Sequence, residues 1–491
     1  MGQAGAGNHD GQVTRRARRN GQILYESRRI TGAEPGGPPS RSTATTLTDL
    51  VSVVTPEEMV RVRPRLEAFA AEMFGGLARS DQRAKGEVYL RGLMLDGKRK
   101  SMQPMADRLG VDHQQLQQFV TSSTWDYGEV RGRLARWAEE FVRPEAYVVD
   151  DSGFPKDGAD SPGVARMYSG TLGKVGNCQI GVSVHAVTDW ASAAINWRLF
   201  LPRSWDETTL ERSDPDAGTD SAAGAVAGRV AEIARRRARC KIPAQVRHRE
   251  KWRLALDMLD QITGPQSSTG WGLAARPVVA DAGYGDVTAF RLALAERGLS
   301  YVVAVKPTTS AYPADAMPIM APYAGRGRPP VPRYPQDPTN LRALALDAGR
   351  RALRQITWRH GSRHNTANPT AAMRSRFLTL RLRPANADIP RQRDGSLPEC
   401  WLIAEWPPGN PAPTDYWLSN LAPETPPREL VRLAKIRWRI EHDYRELKDG
   451  LGLDHFEGRS YLGWHRHVTL TSLAQAFCTH LRYDPKVRAP A

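Results

Sequence analysis

The chain has 491 residues, with 69 Lys and Arg against 53 Asp and Glu, a formal net charge of +16 and a pI of about 9.9. That length allows more than one domain with ample core, and the charge favours a polyanionic partner, most simply nucleic acid, although a GC-rich coding sequence would also enrich Arg. The cysteines Cys178, Cys240, Cys400 and Cys478 form no C-x-x-C and no zinc spacing, no run approaches eighteen apolar residues, and the N-terminus lacks an apolar signal core. These features predict a cytoplasmic chain with reduced thiols and argue against a membrane protein or a structural zinc protein.

Residues 1–45 are rich in Gly, Arg, Ser and Pro and predict a disordered basic arm, with Arg15, Arg16, Arg18 and Arg19 available to phosphates. Residues 46–140 carry helical patterning and predict an all-α N-terminal domain. Inside it, Ser101 to Leu109, the break at Gly110 and the cap at Asp112 outline a helix-turn-helix that could meet DNA. A first core segment, 141–307, opens with strands at 146–150, 178–186 and 195–201, joined by turns. Helical sequence follows at 222–262, then a strand at 277–281, a helix at 287–297 and a strand at 300–306. A meander followed by β-α-β predicts an α/β fold with a mixed sheet flanked by helices. Residues 308–425 break this rhythm. Pro and Gly cluster around Gly325-Arg326-Gly327-Arg328-Pro329-Pro330, and short strands are expected at 354–359, 376–383, 400–405 and 414–419. This segment reads as a β-rich insertion. Helices return at 427–450 and 465–482 within a second core segment, 426–482, and 483–491 is a tail.

Three acids stand out. Asp150 ends the apolar run Tyr147-Val148-Val149, and Asp281 ends Pro277-Val278-Val279-Ala280. Carboxylates at strand ends are placed at a sheet edge where a site can form. On an unbroken helix over 427–450 with Arg437 as origin, Glu441 falls at about 40° and Lys448 at about 20°, beside an apolar stripe that would pack on the sheet. Three converging carboxylates on a basic protein suit two Mg2+ ions, or Mn2+ as substitute, and a nucleic-acid phosphate. Arg437 and Lys448 would hold phosphates, about 16 Å apart along the helix.

These residues carry a resemblance. Arg437-Trp438-Arg439-Ile440-Glu441 followed by Lys448 matches the R-x3-E-x6-K core of DDE-class insertion-sequence transposases, and the blocks VVDDSGFPK, VVADAGYGD and GLDHFEGRSYLGWHRH occur in the matching order. The chain resembles that family over roughly residues 60–480. The resemblance implies a ribonuclease-H-like core interrupted by a β-rich insertion. It implies Asp150, Asp281 and Glu441 as the catalytic and metal-binding triad, with Asp151 second to Asp150. It also implies cleavage of transposon ends and joining of their 3′-hydroxyls to target DNA. Its partners would be double-stranded DNA with terminal inverted repeats, target DNA and a second copy of the chain. Two other readings share most of these features: an inactive transposase serving as a DNA-binding regulator, and a host nuclease of the same fold. The family signature often has Tyr where this chain has Ala434.

Gly170-Thr171-Leu172-Gly173-Lys174 fails as a phosphate-binding loop. Tyr168 stands where the first Gly would be, and no Ser or Thr follows Lys174. A turn with Lys174 near DNA is expected, and no nucleotide cofactor. His442, His455, His465 and His467 lack a metal-ligand spacing and are expected at the surface or facing DNA. Trp358 and Trp401 are expected to be core residues of the insertion.

Overall fold

A computed structural model describes residues 54–170, 173–209, 220–267, 269–323, 325–327, 330–361 and 368–483. The basic arm at 1–45, most of the tail and part of the segment near 212–238 lie outside the described residues. The N-terminal part is helical throughout: α1 (Pro56–Phe74), α2 (Ser80–Met94), α3 (Met102–Leu109), α4 (His113–Thr121) and α5 (Tyr127–Phe141). Thr55 and Glu58 form a reciprocal capping box that starts α1. The α3–α4 hairpin follows its expected outline: Gly110 takes the left-handed conformation that ends α3, and the Asp112 side chain caps α4 by accepting from Gln114 N. Ser101 precedes α3 without a side-chain cap bond.

The core begins with β1 (Ala146–Pro155), β2 (Ala165–Ser169), β3 (Lys174–Val187) and β4 (Ser192–Phe200). The helical stretch expected at 222–262 is two helices, α6 (Asp220–Arg239) and α7 (Lys251–Thr263). Then come β5 (Val278–Ala280), α8 (Ala282–Gly285), α9 (Thr288–Glu296) and β6 (Tyr301–Ala304). β3 runs antiparallel to both β1 and β4, whereas β5 lies parallel to β1 and β6 parallel to β5. This is the mixed ribonuclease-H-like sheet: an antiparallel meander continued by β-α-β.

The insertion supplies β7 (Ser310–Pro313), β8 (Thr339–Asn340), α10 (Leu341–Ala348), β9 (Arg354–His360), β10 (Ala372–Pro384), β11 (Cys400–Glu405) and β12 (Asp415–Ser419). β12 pairs antiparallel with β6, and β11, β10, β7 and β8 extend the same sheet, with β9 on β10. The physical reason is that β6 would otherwise be an open edge, and the insertion satisfies its backbone groups.

The chain closes with α11 (Pro427–Lys435), α12 (Trp438–Arg445), a π-turn over Glu446–Gly450 and α13 (Tyr461–Tyr483). The single helix expected at 427–450 is therefore broken twice. Short i to i+3 bonds join Ile436 to Leu433 and Arg439 to Ile436, and the π-turn widens the far end. α11 and α12 cover one face of the sheet, where Leu430, Val431, Ile436 and Ile440 join Val148, Val279 and Val302 in one apolar cluster. The N-terminal helices, α7, α9 and α13 build the larger core on the other face. α13 is buried on almost every side, with His465 and His467 inside it. Those histidines are core residues, not surface ones: His467 Nδ1 meets Tyr89 Oη at 3.0 Å and its Nε2 meets Gly452 O at 3.0 Å. No described helix is long and apolar enough to cross a membrane.

Candidate active site

Strand alternation decides where the aspartates point. On β1, Tyr147 and Val149 enter the core under the N-terminal helices, while Ala146 and Val148 enter the cluster under α11 and α12. Asp150 continues the second series and faces α12. On β5, Val279 belongs to that same cluster, and Asp281 follows it two residues on in an extended conformation (φ −78°, ψ 180°). Both carboxylates thus reach the face that carries Glu441. Asp151 points the other way, where Lys251 Nζ donates to it at 2.9 Å and the Tyr284 hydroxyl at 3.3 Å.

The sequence suggested that Asp150 ends its strand. β1 in fact runs on to Pro155, paired with β3 throughout; what ends at Val149 is the pairing with β5. The cleft opens because β5 stops at Ala280 and turns at once into α8. The Asp281 carboxylate caps that turn by accepting from Gly283 N at 2.9 Å. Gly285 lets the turn lie on β6: a Cβ there would stand 1.9 Å from Ala304 O.

Arg437 occupies the middle of the carboxylates. Its guanidinium donates to Asp150 at 2.7 Å and reaches Glu441 at 3.4 Å, and it also interacts electrostatically with Asp281. Burial opposes its charge, yet the three acids together hold its pKa above the ordinary value. Asp150 is pushed up to about 7, first by burial and then by the nearby Asp281 and Asp151, with Arg437 working in the opposite direction. Asp281 is raised as well, again chiefly by burial. Glu441 keeps 66% of its side chain exposed, against 12% for Asp150, so it is the open side of the site.

A buried polar network, not anticipated from the sequence, ties Glu441's helix to the neighbour of Asp150's strand. Asp443 accepts from Ser192 Oγ at 2.6 Å and meets His185 Nδ1 at 2.8 Å; His185 Nε2 meets Ser183 Oγ at 3.0 Å, and Ser183 Oγ meets Tyr444 Oη at 2.7 Å. Burial opposes the Asp443 charge, but its bonds with His185 and Ser192 outweigh it and hold the pKa below the usual carboxylate range. Ser183 is the β3 partner of Asp150. The available signal was the alternation Val182-Ser183-Val184-His185, which places two polar side chains on the α12 face.

Lys448 lies inside the π-turn, where the regular 100° step does not hold. Its ammonium is buried and donates to Gly153 O of β1 at 2.8 Å, and burial lowers its pKa. Lys174 is exposed where β3 begins. Among the described residues, the group whose ligand atoms lie within metal-ligand reach of one another is His442, Asp443 and Glu446. Asp443 is taken by His185 and Ser192, however, and Glu446 pairs with Arg482. Asp150, Asp281 and Glu441 offer only oxygen donors, the kind a hard divalent cation takes, and Arg437 lies among them.

A family model described as DDE superfamily endonuclease matches residues 72–365. Asp150 and Asp281 lie inside that match, and Glu441 lies beyond its end. The chain is also similar to a probable transposase for insertion sequence element IS701 from Microchaete diplosiphon, with 31% identity over 115 residues. The aligned stretch is 23% of this chain and 30% of that relative, so the chain spans less than a third of the relative's length.

Proposed function

The chain belongs to the DDE superfamily endonuclease family, and from that premise we propose that it is a DNA transposase that cuts transposon ends and joins them to target DNA. The observation that carries this reading is the convergence of Asp150, Asp281 and Glu441 on the single cation Arg437, on one face of the sheet. In this reading the three carboxylates hold two Mg2+ ions, with Mn2+ as substitute. Bound there, the ions would supply Lewis-acid stabilisation of the attacking and leaving oxygens.

The protein's own residues do the positioning. Once the carboxylates turn to a divalent cation, Arg437 is released from their charge and can fork onto a phosphate of the bound strand. Lys174 adds a cation for the duplex from the β2–β3 turn. The network through His185 and Asp443 fixes α12, and with it the distance of Glu441 from Asp150. In the first step a water oxygen bonds to phosphorus, and the bond to the 3′-oxygen of the transposon end breaks; that oxygen leaves as a hydroxyl. In the second step this hydroxyl attacks a target phosphate, and the target's own 3′-oxygen leaves with the proton. Both are in-line displacements, so one site serves both. Joining two ends in concert calls for at least two copies of the chain on DNA with terminal inverted repeats. The helical N-terminal domain, through α3 and α4, is assigned to end binding.

The test is cleavage of labelled DNA carrying the element's own ends, with Mg2+ or Mn2+, comparing wild type with Glu441→Gln. A loss of at least ~10³-fold with end binding retained supports the triad; each tenfold is about 1.4 kcal/mol of barrier. Cleavage unaffected by the substitution defeats it. End binding without cleavage by the wild type would favour a regulatory protein, and hydrolysis without strand transfer would favour a host nuclease.

A further inference from the structure

Between β7 and β8 the insertion throws out an arm that the proposed chemistry does not use. Backbone bonds in both directions between Ile319 and Arg333, at 2.8 and 3.0 Å, close its base. Of the eleven large hydrophobic side chains exposed among the described residues, five sit on this one arm: Met317, Ile319, Met320, Tyr323 and Val331. Ile319 is 62% exposed and Met320 56%. Single exposed apolar residues are ordinary, whereas a cluster on one protrusion marks a contact surface. Its acids, Asp315 and Asp337, lie at its two roots. Residues 316–336 contain no acid and three arginines, of which Arg326 and Arg333 are described and exposed. At the tip, Gly325 and Gly327 flank Arg326 with φ of +78° and +82°, and a Cβ at either would meet nothing within 4 Å. The Tyr323 hydroxyl donates to Gly327 O at 3.1 Å and holds the turn.

We propose that this arm enters the minor groove of duplex DNA and prefers A·T-rich sequence. The minor groove is about 6 Å wide, and over A·T tracts it is narrower and more negative. A tip with glycine on both sides of an arginine is thin enough to follow its floor, and the guanidinium is drawn by the groove potential. Ile319 and Met320, at the base of the arm, are of the side-chain types that minor-groove proteins press against base steps. A protein partner would suit the apolar residues equally, but it does not account for the acid-free stretch 316–336 with an exposed arginine between two glycines. The proposal rests on the reading of the chain as an enzyme that acts on DNA.

The experiment is fluorescence polarisation of the full chain on two labelled duplexes of equal length, one with a central A·T tract and one with G·C, compared with Arg326→Ala, Arg326→Lys and Ile319→Ser/Met320→Ser. The wild type should prefer the A·T duplex by about 5–10-fold, as an arginine sensing groove width implies. A small molecule that fills the A·T minor groove should abolish that preference. Arg326→Ala should erase it with unchanged melting temperature, and Arg326→Lys should recover only part, since an ammonium is harder to dehydrate. Equal binding of both duplexes by the wild type overturns the arm's role and leaves the proposed function standing; no duplex binding overturns both. A preference untouched by Arg326→Ala, or variants that alter only self-association, also overturns the proposal.

Discussion

Arg437 donates to Asp150 at 2.7 Å, so the most buried carboxylate of the candidate site is neutralised from within the chain. The same guanidinium reaches Glu441 and feels Asp281. A positive group among three acids competes with any divalent cation for them. Arg437→Gln should therefore tighten Mn2+ binding while weakening catalysis. Removing one positive charge a few ångströms away at an effective dielectric of about 20 is worth on the order of 1–2 kcal/mol after screening, or roughly 5–30-fold in dissociation constant. Titration calorimetry with Mn2+ on the full chain reads the first effect and end cleavage the second, where a fall of about 10²-fold is expected. Weaker or unchanged Mn2+ binding would show that Arg437 supports the cation site instead of competing for it.

Asp150 and Asp151 are adjacent and chemically identical, yet they face opposite sides of β1. Asp150→Asn should abolish end cleavage, by ~10³-fold or more, because it removes a carboxylate from the face shared with Glu441. Asp151→Asn removes a partner of Lys251 and Tyr284 on the other face, and about a tenfold loss is expected. If Asp151→Asn is as damaging as Asp150→Asn while the circular dichroism spectrum is unchanged, the assignment by strand alternation is wrong.

The pair of aspartates illustrates what the sequence disclosed. Apolar runs before Asp150 and Asp281 were enough to place both on strands of a mixed sheet, because period and composition are local properties. The resemblance favoured Asp150 over Asp151, but which face each carboxylate takes depends on the helices covering the sheet, which is a tertiary fact. The helix carrying Glu441 was legible, and so was the face it shares with Arg437; the ion pair of Arg437 with Asp150 and Glu441 was not. The breaks in that helix were not legible, since no Gly or Pro interrupts Ile436-Arg437 or precedes Glu446. Lys448 lies inside the second of those breaks. The insertion's strands were visible, but their union with β6 depends on a long-range pairing that no local pattern encodes. His465 and His467 were expected at the surface or facing DNA because their spacing forms no metal set; that α13 is buried on almost every side is set by its packing, not by that spacing.

The buried network under Tyr444 should be a stability determinant. His185 and Asp443 are both fully buried and 2.8 Å apart. His185→Ala leaves the Asp443 carboxylate with its hydroxyl donor but without its imidazole partner, and breaking a buried pair from one side typically costs about 3–5 kcal/mol. Asp443→Asn keeps shape and some hydrogen bonding and should cost less. Because the two residues share one interaction, the double variant should lose clearly less than the sum of the singles. Urea denaturation measures all three, and additive losses would mean the pair does not act as a unit.

His467 gives the fold a pH dependence with a definite sign. Burial in α13 pushes its pKa down to about 4, against the backbone hydrogen bonds at Gly452 and Leu453 that favour the charged form, and its ring also meets Tyr89 Oη. The unfolded chain returns it to about 6.5. Between those values the unfolded state binds more protons than the folded one, so stability rises with pH. The contribution is complete above about pH 6.5, falls as the pH drops towards 4, and is absent below. A difference of that size is worth at most about 3.4 kcal/mol. His467→Gln can keep hydrogen bonds to Tyr89 and Gly452 but cannot titrate. Between pH 7.5 and 4.5 the wild type should therefore lose about 2–3 kcal/mol more than this variant, as measured by urea denaturation at each pH. Parallel losses in the two proteins would mean that the imidazole is not held neutral by its burial, and that acid sensitivity arises elsewhere in the chain.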